Sequence, residues 1–525
     1  MFCESEIVPR KKRRLNVLST SESEEIEENR VESAGVSNMV WTTAKFKPKF
    51  HHFNPRNSGI QSGIRHSWKI IDCFQLFVSE ELMEYIVEKT NINWQQKNNN
   101  NEIIAGTDLS ELYCFLAICF LMTRNKRLSV TEHWSRDKLL RSDIFSDIMS
   151  RDQYFLLLQM LYFSDDQISS SDRLRKIRKI IDKLRAAFSN FFYPYSNLCI
   201  DESLLLYKGR LSFKQFIPSK RNRFGIKSFV LCDCKTGYIQ DFIVYTGADT
   251  TIGPENKDYG KSGSIVLSLL EPYLGKGHTL YVDNWYTSPA LFDVLHKNYT
   301  NACGTVKKRR KGMPKMDEKL KKGEACFRSS GNMLVMKWQD KKEVFMISTI
   351  HKAEFVDVEK RYSTQEIVQK PSCVLEYNKL MGAVDKTDMV ISTIHSTRKT
   401  TKWYKKYFFH MIDMCLWNSY CLYKLKTGKT LSIAKFQLQL IDQILKKYHK
   451  QSSHHCIRPG NNYSARLNGR HFPSPYKING KKRSRRCVVC TKNDKRRESR
   501  YQCQECDVGL CVHPCFRIYH TELNY

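Results

Sequence analysis

Two sets of residues in this 525-residue chain have the types and spacing to do chemistry. The first set is acidic. Asp201 follows the apolar run Leu198 to Ile200, and Asp283 lies in Tyr281 to Ser288, reading YVDNWYTS. A turn-prone Gly275-Lys276-Gly277 precedes that block, so His278 to Val282 reads as a short buried strand with Asp283 at its end. Ser288 is placed to cap the next helix, with Pro289 at its first position. Asp385 and Asp388 are three apart in GAVDKTD, so on a helix they share a face. Two strand-end carboxylates and a helix carboxylate can converge on two divalent cations about 4 Å apart, which activate an attacking oxygen and stabilise a leaving one at a phosphodiester. Mg²⁺ suits such a set, since it prefers carboxylates and phosphate oxygens. Spacing alone also allows the plainer alternative. Asp283 would then only cap a turn, and Asp233, Asp241 and Asp249 lie close by among 54 acids.

The second set is thiol and imidazole. Six of the 19 cysteines lie from residue 487 onward: Cys487 and Cys490, Cys503 and Cys506, then Cys511, His513, Cys515 and His520. Paired spacing of this kind predicts two tetrahedral Zn²⁺ sites and disfavours coincidental free thiols. An interleaved arrangement is expected, with Cys487 and Cys490 joined to Cys511 and His513, and Cys503 and Cys506 joined to Cys515 and His520. So small a module needs its metal to fold, which makes both zinc ions structural.

Lys and Arg total 86 against 54 Asp and Glu, a net charge of +32, which suits a polyanionic partner such as double-stranded DNA. The basic residues cluster. One cluster is Lys208, Arg210, Lys214, Lys220, Arg221, Arg223 and Lys227; another is Lys307, Lys308, Arg309, Arg310 and Lys311. Arg398, Lys399, Lys402, Lys405 and Lys406 form a third, and Lys481 to Arg486, with Arg485 and Arg486, a fourth. Singly each is an ordinary surface charge; together they can line a DNA path. Trp285 is either core or a platform for a flipped base.

No secretory signal is visible, and Lys11-Lys12-Arg13-Arg14 is a candidate nuclear-import signal. The cysteines are therefore expected reduced or on metal. The longest apolar run, Leu112 to Met122, is too short to span a bilayer. It follows Asp108 and Glu111, the pattern of a capping box.

The elements that must position these residues follow from periodicity. Residues 1–65 read as a disordered tail, and 66–195 as mostly helix, including Phe74 to Thr90. From Leu198 the pattern is three strands, with a hairpin turn at Lys235-Thr236-Gly237, then helix, strand, helix, strand. That describes a mixed α/β sheet flanked by helices. Residues 310–371 read as a small β-containing insertion. Helices return through Asp385 and from Lys402 to Lys424, and 451–484 reads as a linker.

Several ordered blocks resemble those of the piggyBac family of DNA transposases. They are Asp201-Glu202, Lys208-Gly209-Arg210, Gln215 to Lys220, Phe224 to Lys227, Lys235 to Tyr238, YVDNWYTS, Tyr377-Asn378-Lys379 with Gly382 to Asp388, and Arg470 to Pro473. The match continues through Arg398, Trp403, Phe408 and Asn418. The resemblance implies an RNase H-like catalytic core made of 196–309 and 372–394, interrupted by the insertion. It implies that 66–195 and 395–450 pack together as a dimerisation and DNA-binding domain of a homodimer, and that a cysteine-rich domain over 485–525 recognises transposon ends. It further implies that Asp201, Asp283 and Asp385 hold two Mg²⁺ ions, with Asp388 auxiliary. Such enzymes cut DNA at transposon ends and join them to target DNA, usually at TTAA, by hydrolysis and transesterification. Two other classes are carried forward: a domesticated DNA-binding descendant without cleavage, and a protein-interaction role for the zinc module.

Overall fold

The computed structural model describes residues 39–61, 68–97, 106–164, 171–218, 223–248, 250, 252, 258–359, 367–396, 400–449, 471–478, 480–504 and 506–522. The basic tetrad at 11–14, Lys220, Arg221, Arg398 and most of the expected linker lie outside these residues. Contacts divide the chain into one unit up to His449 and a second from Lys450.

The first unit is built on one mixed sheet. Strand β1 is Asn197–Leu206, β2 Phe224–Asp233, β3 Ile239–Val244, β4 Thr279–Val282 and β5 Asn301–Thr305. β3, β2 and β1 form an antiparallel meander, whereas β4 runs parallel to β1 and β5 parallel to β4. The turn between β2 and β3 falls at Gly237, whose φ of 73° is left-handed and suits glycine. Successive side chains point to opposite faces. Leu198, Ile200, Leu280, Val282 and Ala302 therefore enter one core with helices α7 (Gly260–Leu270) and α8 (Pro289–Lys297). Cys199, Tyr281 and Cys303 enter the other core, with α9 (Ser372–Leu380), α10 (Ala383–Thr393) and α11 (Trp403–Thr427).

The 310–371 segment does not stand apart from the sheet. Its strands β6 (Ala325–Ser330), β7 (Met333–Gln339) and β8 (Glu343–Ser348) continue it, β8 pairing antiparallel with β5. Only β9 (Phe355–Glu359) and β10 (Ile367–Pro371) form a separate hairpin.

The helical part draws on both sides of the sheet sequence, as the resemblance implies. Its first half is α1 (Ile70–Gln75), α2 (Glu80–Lys97), α3 (Leu109–Arg124), α4 (Asp143–Ile148), α5 (Arg151–Met160) and α6 (Arg178–Phe191); α12 (Ile433–Tyr448) completes it with α11. Asp108 caps α3 by accepting from Glu111 N at 2.7 Å, as expected. The expected single helix from Phe74 to Thr90 is broken near Ser79, which caps α2 by accepting from Leu82 N. Gln443 Oε1 accepts from Ile71 N at 2.9 Å, and the rings of Tyr113 and Tyr448 stack at 4.1 Å.

The expected tail is shorter than 1–65. Residues 39–61 lie along the first unit, anchored by buried Phe46, by Trp41 Nε1 donating to Gly312 O, and by Gly59–Ile60 pairing with Phe192–Tyr193. These anchors have no period, so pattern analysis missed them. No helix among the described residues is long and apolar enough to cross a membrane.

Asn418 on α11 ties the helical part to the sheet. Its side chain is fully buried, accepting from Ile239 N and donating to Ile239 O, both at 2.9 Å, in place of a strand partner. Asn418→Leu leaves both backbone groups buried and unpaired, and is expected to destabilise by roughly 2–5 kcal/mol. Urea unfolding of the two proteins checks this; equal midpoints would remove the tie.

Candidate active site and metal centres

Parallel pairing of β1 with β4 ends at Ile200 and Val282, so Asp201 and Asp283 stand side by side where the ladder stops. Asp201 does not end its strand: β1 runs on to Leu206 along β2. Both acids share the parity of Cys199 and Tyr281, and both are half-buried. Burial, then the Glu202 carboxylate, then Asp283 push the Asp201 carboxyl up to about 8. Asp283 is raised by burial and by Glu202, opposed by the backbone N–H groups of Trp285 and Tyr286 and then by Lys227. The turn after β4 is tightly held. Trp285 N donates to Asp283 Oδ1 at 2.9 Å, Thr287 Oγ1 donates to Asp283 O at 2.8 Å, and Ser288 caps α8 through Leu291 N. Glycine is required at 304, since a Cβ there would collide with Thr287 Oγ1 and Val282 O.

The helix carboxylates lie on α10 as expected, but not equivalently. This helix buries Ala383, Val384, Thr387 and Ile391. At about 100° per residue Asp388 falls at the edge of that face and Asp385 well outside it. Asp388 Oδ1 accepts from Ser203 Oγ of β1 at 2.9 Å, whereas Asp385 is exposed, with its charge reaching Cys199. The oxygens of Asp201, Asp283 and Asp385 do not gather within the 4.8 Å that unites the cysteine and histidine groups below. The expected triad thus shares one side of the sheet, with Asp201 and Asp283 as its tight pair.

Sequence reasoning missed several supporting residues. Tyr281 OH donates to Glu376 Oε1 at 2.7 Å, and His351 Nε2 lies 2.8 Å from Glu376 Oε2, with Ser348 Oγ 2.7 Å from His351 Nδ1. The His351 contact holds Glu376 below its usual range and locks α9 to β4 and β8. No spacing rule links those positions.

The basic residues divide. Lys208, Arg210, Arg223, Lys308, Arg309, Lys402 and Arg486 are exposed, and Lys307 is half-buried. Arg310 instead donates to Asn284 O and Trp285 O, bracing the Asp283 turn. Arg485 pairs with Asp507 at 2.7 Å. Lys405 is buried against the carbonyls of Leu158 and Gln159 at the end of α5. Trp285 stacks on Phe229 at 5.4 Å, with Lys227 Nζ 4.6 Å from its ring centre, so it packs against protein.

In the second unit two groups each bring four ligand atoms within 4.8 Å: Cys487, Cys490, Cys511 and Cys515, and His471, Cys503, Cys506 and His520. Cys490 Sγ lies 3.5 Å from Cys515 Sγ and 3.9 Å from Cys511 Sγ. His471 Nδ1 lies 3.4 Å and 3.5 Å from the sulfurs of Cys503 and Cys506. Zn–S bonds of about 2.3 Å on tetrahedral corners put sulfurs about 3.8 Å apart, so both sets fit zinc. His520 Nδ1 faces Phe516 O at 2.7 Å, leaving Nε2 for metal.

The alternation of sites is as expected, but membership differs. Cys515 joins the all-cysteine site because it opens α14 (Cys515–Thr521, following α13 at Val488–Lys492), whose far end carries His520 to the other group. His513 is exposed and outside both groups, its expected place taken by Cys515; His471, brought in as strand 473–475 pairs with 501–503, takes the place expected of Cys515. The unit therefore begins before the expected 485. His471 stood in a recognised block, but linker-like surroundings hid it.

Two outcomes follow. His471→Ala should lower zinc content from about two ions per chain to about one, while His513→Ala keeps both, as measured by atomic emission. Separately, a carboxyl raised on folding contributes stability below its unfolded pKa and loses it as pH climbs towards the folded value. Protein freed of Mg²⁺ but keeping its zinc should therefore lose stability between pH 5 and 8, on the order of 1 kcal/mol per pH unit at most. Asp201→Asn should flatten that decline; parallel Tm profiles for both proteins would contradict the burial described.

Residues 71–420 match the family described as Transposase IS4, and residues 467–521 match the DDE_Tnp_1-like zinc finger, consistent with zinc binding by the second unit. The chain is similar to human PiggyBac transposable element-derived protein 3, 28% identical over 471 residues, covering 86% of this chain and 76% of that one. It is also similar to human PiggyBac transposable element-derived protein 2, 26% identical, covering 74% and 67% of the two chains. A piggyBac transposase solved by cryo-EM in a synaptic complex with hairpin DNA has the same fold, with a TM-score of 0.70, 24% identity, and coverage of 86% of this chain and 97% of that one. The sheet order, the placement of the acids and these matches agree: the chain belongs to the piggyBac family of transposases.

Proposed function

We propose that the chain is a cut-and-paste DNA transposase that cleaves double-stranded DNA at transposon ends and joins those ends to target DNA, with TTAA as the expected target. The observation that carries this is the placing of Asp201 beside Asp283 at the end of a parallel ladder, both raised by burial and by shared negative charge. Carboxylates in that condition favour a divalent cation. Asp201 and Asp283 would hold Mg²⁺, with Asp385 and Asp388 contributing from α10. The ions, when bound, supply activation of the attacking oxygen and stabilisation of the leaving one. Arg310 and Thr287 keep the Asp283 turn in place, and Glu376 keeps α9 against β4. The exposed Lys208, Arg210, Arg223 and Lys402 offer phosphate contacts, and the zinc unit with Arg486 offers a second DNA surface. Assembly as a homodimer and nuclear import through Lys11 to Arg14 belong to the same proposal.

Nicking of plasmid DNA carrying the cognate terminal repeats should require Mg²⁺ or Mn²⁺. Asp283→Asn should lower it by about 100-fold or more while leaving DNA binding in place. Undiminished nicking by that variant would overturn the assignment, and DNA binding without nicking by the unaltered chain would favour the domesticated class.

A further inference from the structure

Helix α10 is tied to β1 by two hydrogen bonds that bracket Asp201. Cys199 Sγ donates to Met381 O, in the turn before the helix, at 2.9 Å, and Ser203 Oγ donates to Asp388 Oδ1 at 2.9 Å. Cys199, Asp201 and Ser203 alternate along one strand and so share a face. From 381 to 388 a helix advances about 10 Å, and from 199 to 203 a strand advances about 13 Å. The helix therefore follows that face of β1, with Asp385 between the two ties on its side as Asp201 is on the strand's.

Two ties on one line leave a helix able to roll about that line. Packing beneath α10 is incomplete: a cavity of about 10 Å³, room for one water, is lined by residues that include Ser203, Thr387, Asp388 and His410. The roll is set by a third tie, on Thr387, which is about 100° round the helix from Asp388. Thr387 is 2% exposed, and its Oγ1 donates to Gly237 O, in the turn between β2 and β3, at 2.9 Å. That carbonyl also accepts from Trp417 Nε1 of α11 at 2.7 Å, so it is itself held in place. A Cβ on residue 237 would stand 3.0 Å from Thr387 Oγ1 and 3.1 Å from the Trp417 ring, so the close approach needs glycine.

Resting on the transposase reading above, we propose that Thr387 is a positioning residue: by fixing the roll of α10 it sets where Asp385 stands relative to Asp201 and Asp283. Thr387 touches neither metal nor DNA. Asp385 lies about 160° round the helix from it, so a roll of about 10° carries that carboxylate about 1 Å. The bond from Ser203 to Asp388 does not resist such a motion, because it lies on the line about which the helix would turn.

The test uses the full-length, zinc-loaded chain and reads Mn²⁺ affinity by titration calorimetry beside nicking of DNA that carries the cognate repeats. Thr387→Val keeps the side chain's shape and removes only the hydrogen bond. Gly237 O keeps Trp417 as a partner, so zinc content and Tm should stay close to those of the unaltered chain. Nicking should fall in kcat by roughly 10- to 100-fold with KM for DNA unchanged. Mn²⁺ should bind roughly 3- to 10-fold more weakly. Thr387→Ser restores the hydroxyl and should restore both. In an Asp385→Asn background Thr387→Val should change neither quantity further, because the group it positions is gone. Unaltered rate and Mn²⁺ affinity in Thr387→Val would overturn the proposal, as would a loss of equal size with and without Asp385. If the unaltered chain binds Mn²⁺ with this dependence on Thr387 yet nicks no DNA, the transposase reading fails and the positioning stands. If it binds no Mn²⁺, both fail.

Discussion

The arrangement depends on the register between β1 and β4. Four residues of parallel ladder, Asn197 to Ile200 against Thr279 to Val282, decide which side chains meet at its end. A slip of one residue would turn Asp283 to the other face and bury Val282 among polar groups. Everything around the ladder protects that register. The antiparallel meander grips β1 on one side, β5 and the inserted strands grip β4 on the other, and the two cores fill both faces.

Within that frame, apolar packing and buried charge are opposed. The same burial that fixes Asp201 and Asp283 also disfavours their ionisation, offset only in part by backbone N–H groups that donate to them and, at Asp283, by Lys227. The fold tolerates this because its large cores and buried polar ties, Asn418 with Ile239 and Tyr281 with Glu376 among them, supply stability elsewhere. The C-terminal unit faces the reverse situation. It has few buried apolar side chains, and the eight ligands of its two metal groups take over the work of a core.

How much of this was legible in the chain depends on the range of the interaction. Local rules placed β4, the Ser288 cap, the Gly237 turn, the Asp108 cap and the helix carrying Asp385 and Asp388. The family resemblance foretold the joining of the early and late helices. What escaped had no local signature. Asp388 outranks Asp385 in contact with β1 because of how α10 is rotated, which depends on the face it buries. Arg310 turned from surface charge to brace because the chain folds back on Asn284. His471 was hidden by distance, 32 residues before its neighbour Cys503. The strap at 39–61 was hidden because single aromatic anchors carry no period.

The helical part is closed by contacts between the two ends of the first unit, Gln75 with Tyr448 among them, 373 positions apart. Translation delivers those positions at different times. At about 5–20 residues per second, roughly 20 to 75 seconds separate the emergence of α1 from that of α12. Throughout that interval the apolar faces of Ile71, Phe74 and Tyr113 have no partner from α12 to cover them. The nascent chain therefore passes through a long stage in which the sheet can assemble first, while its leading helices must be shielded from aggregation until synthesis is nearly complete.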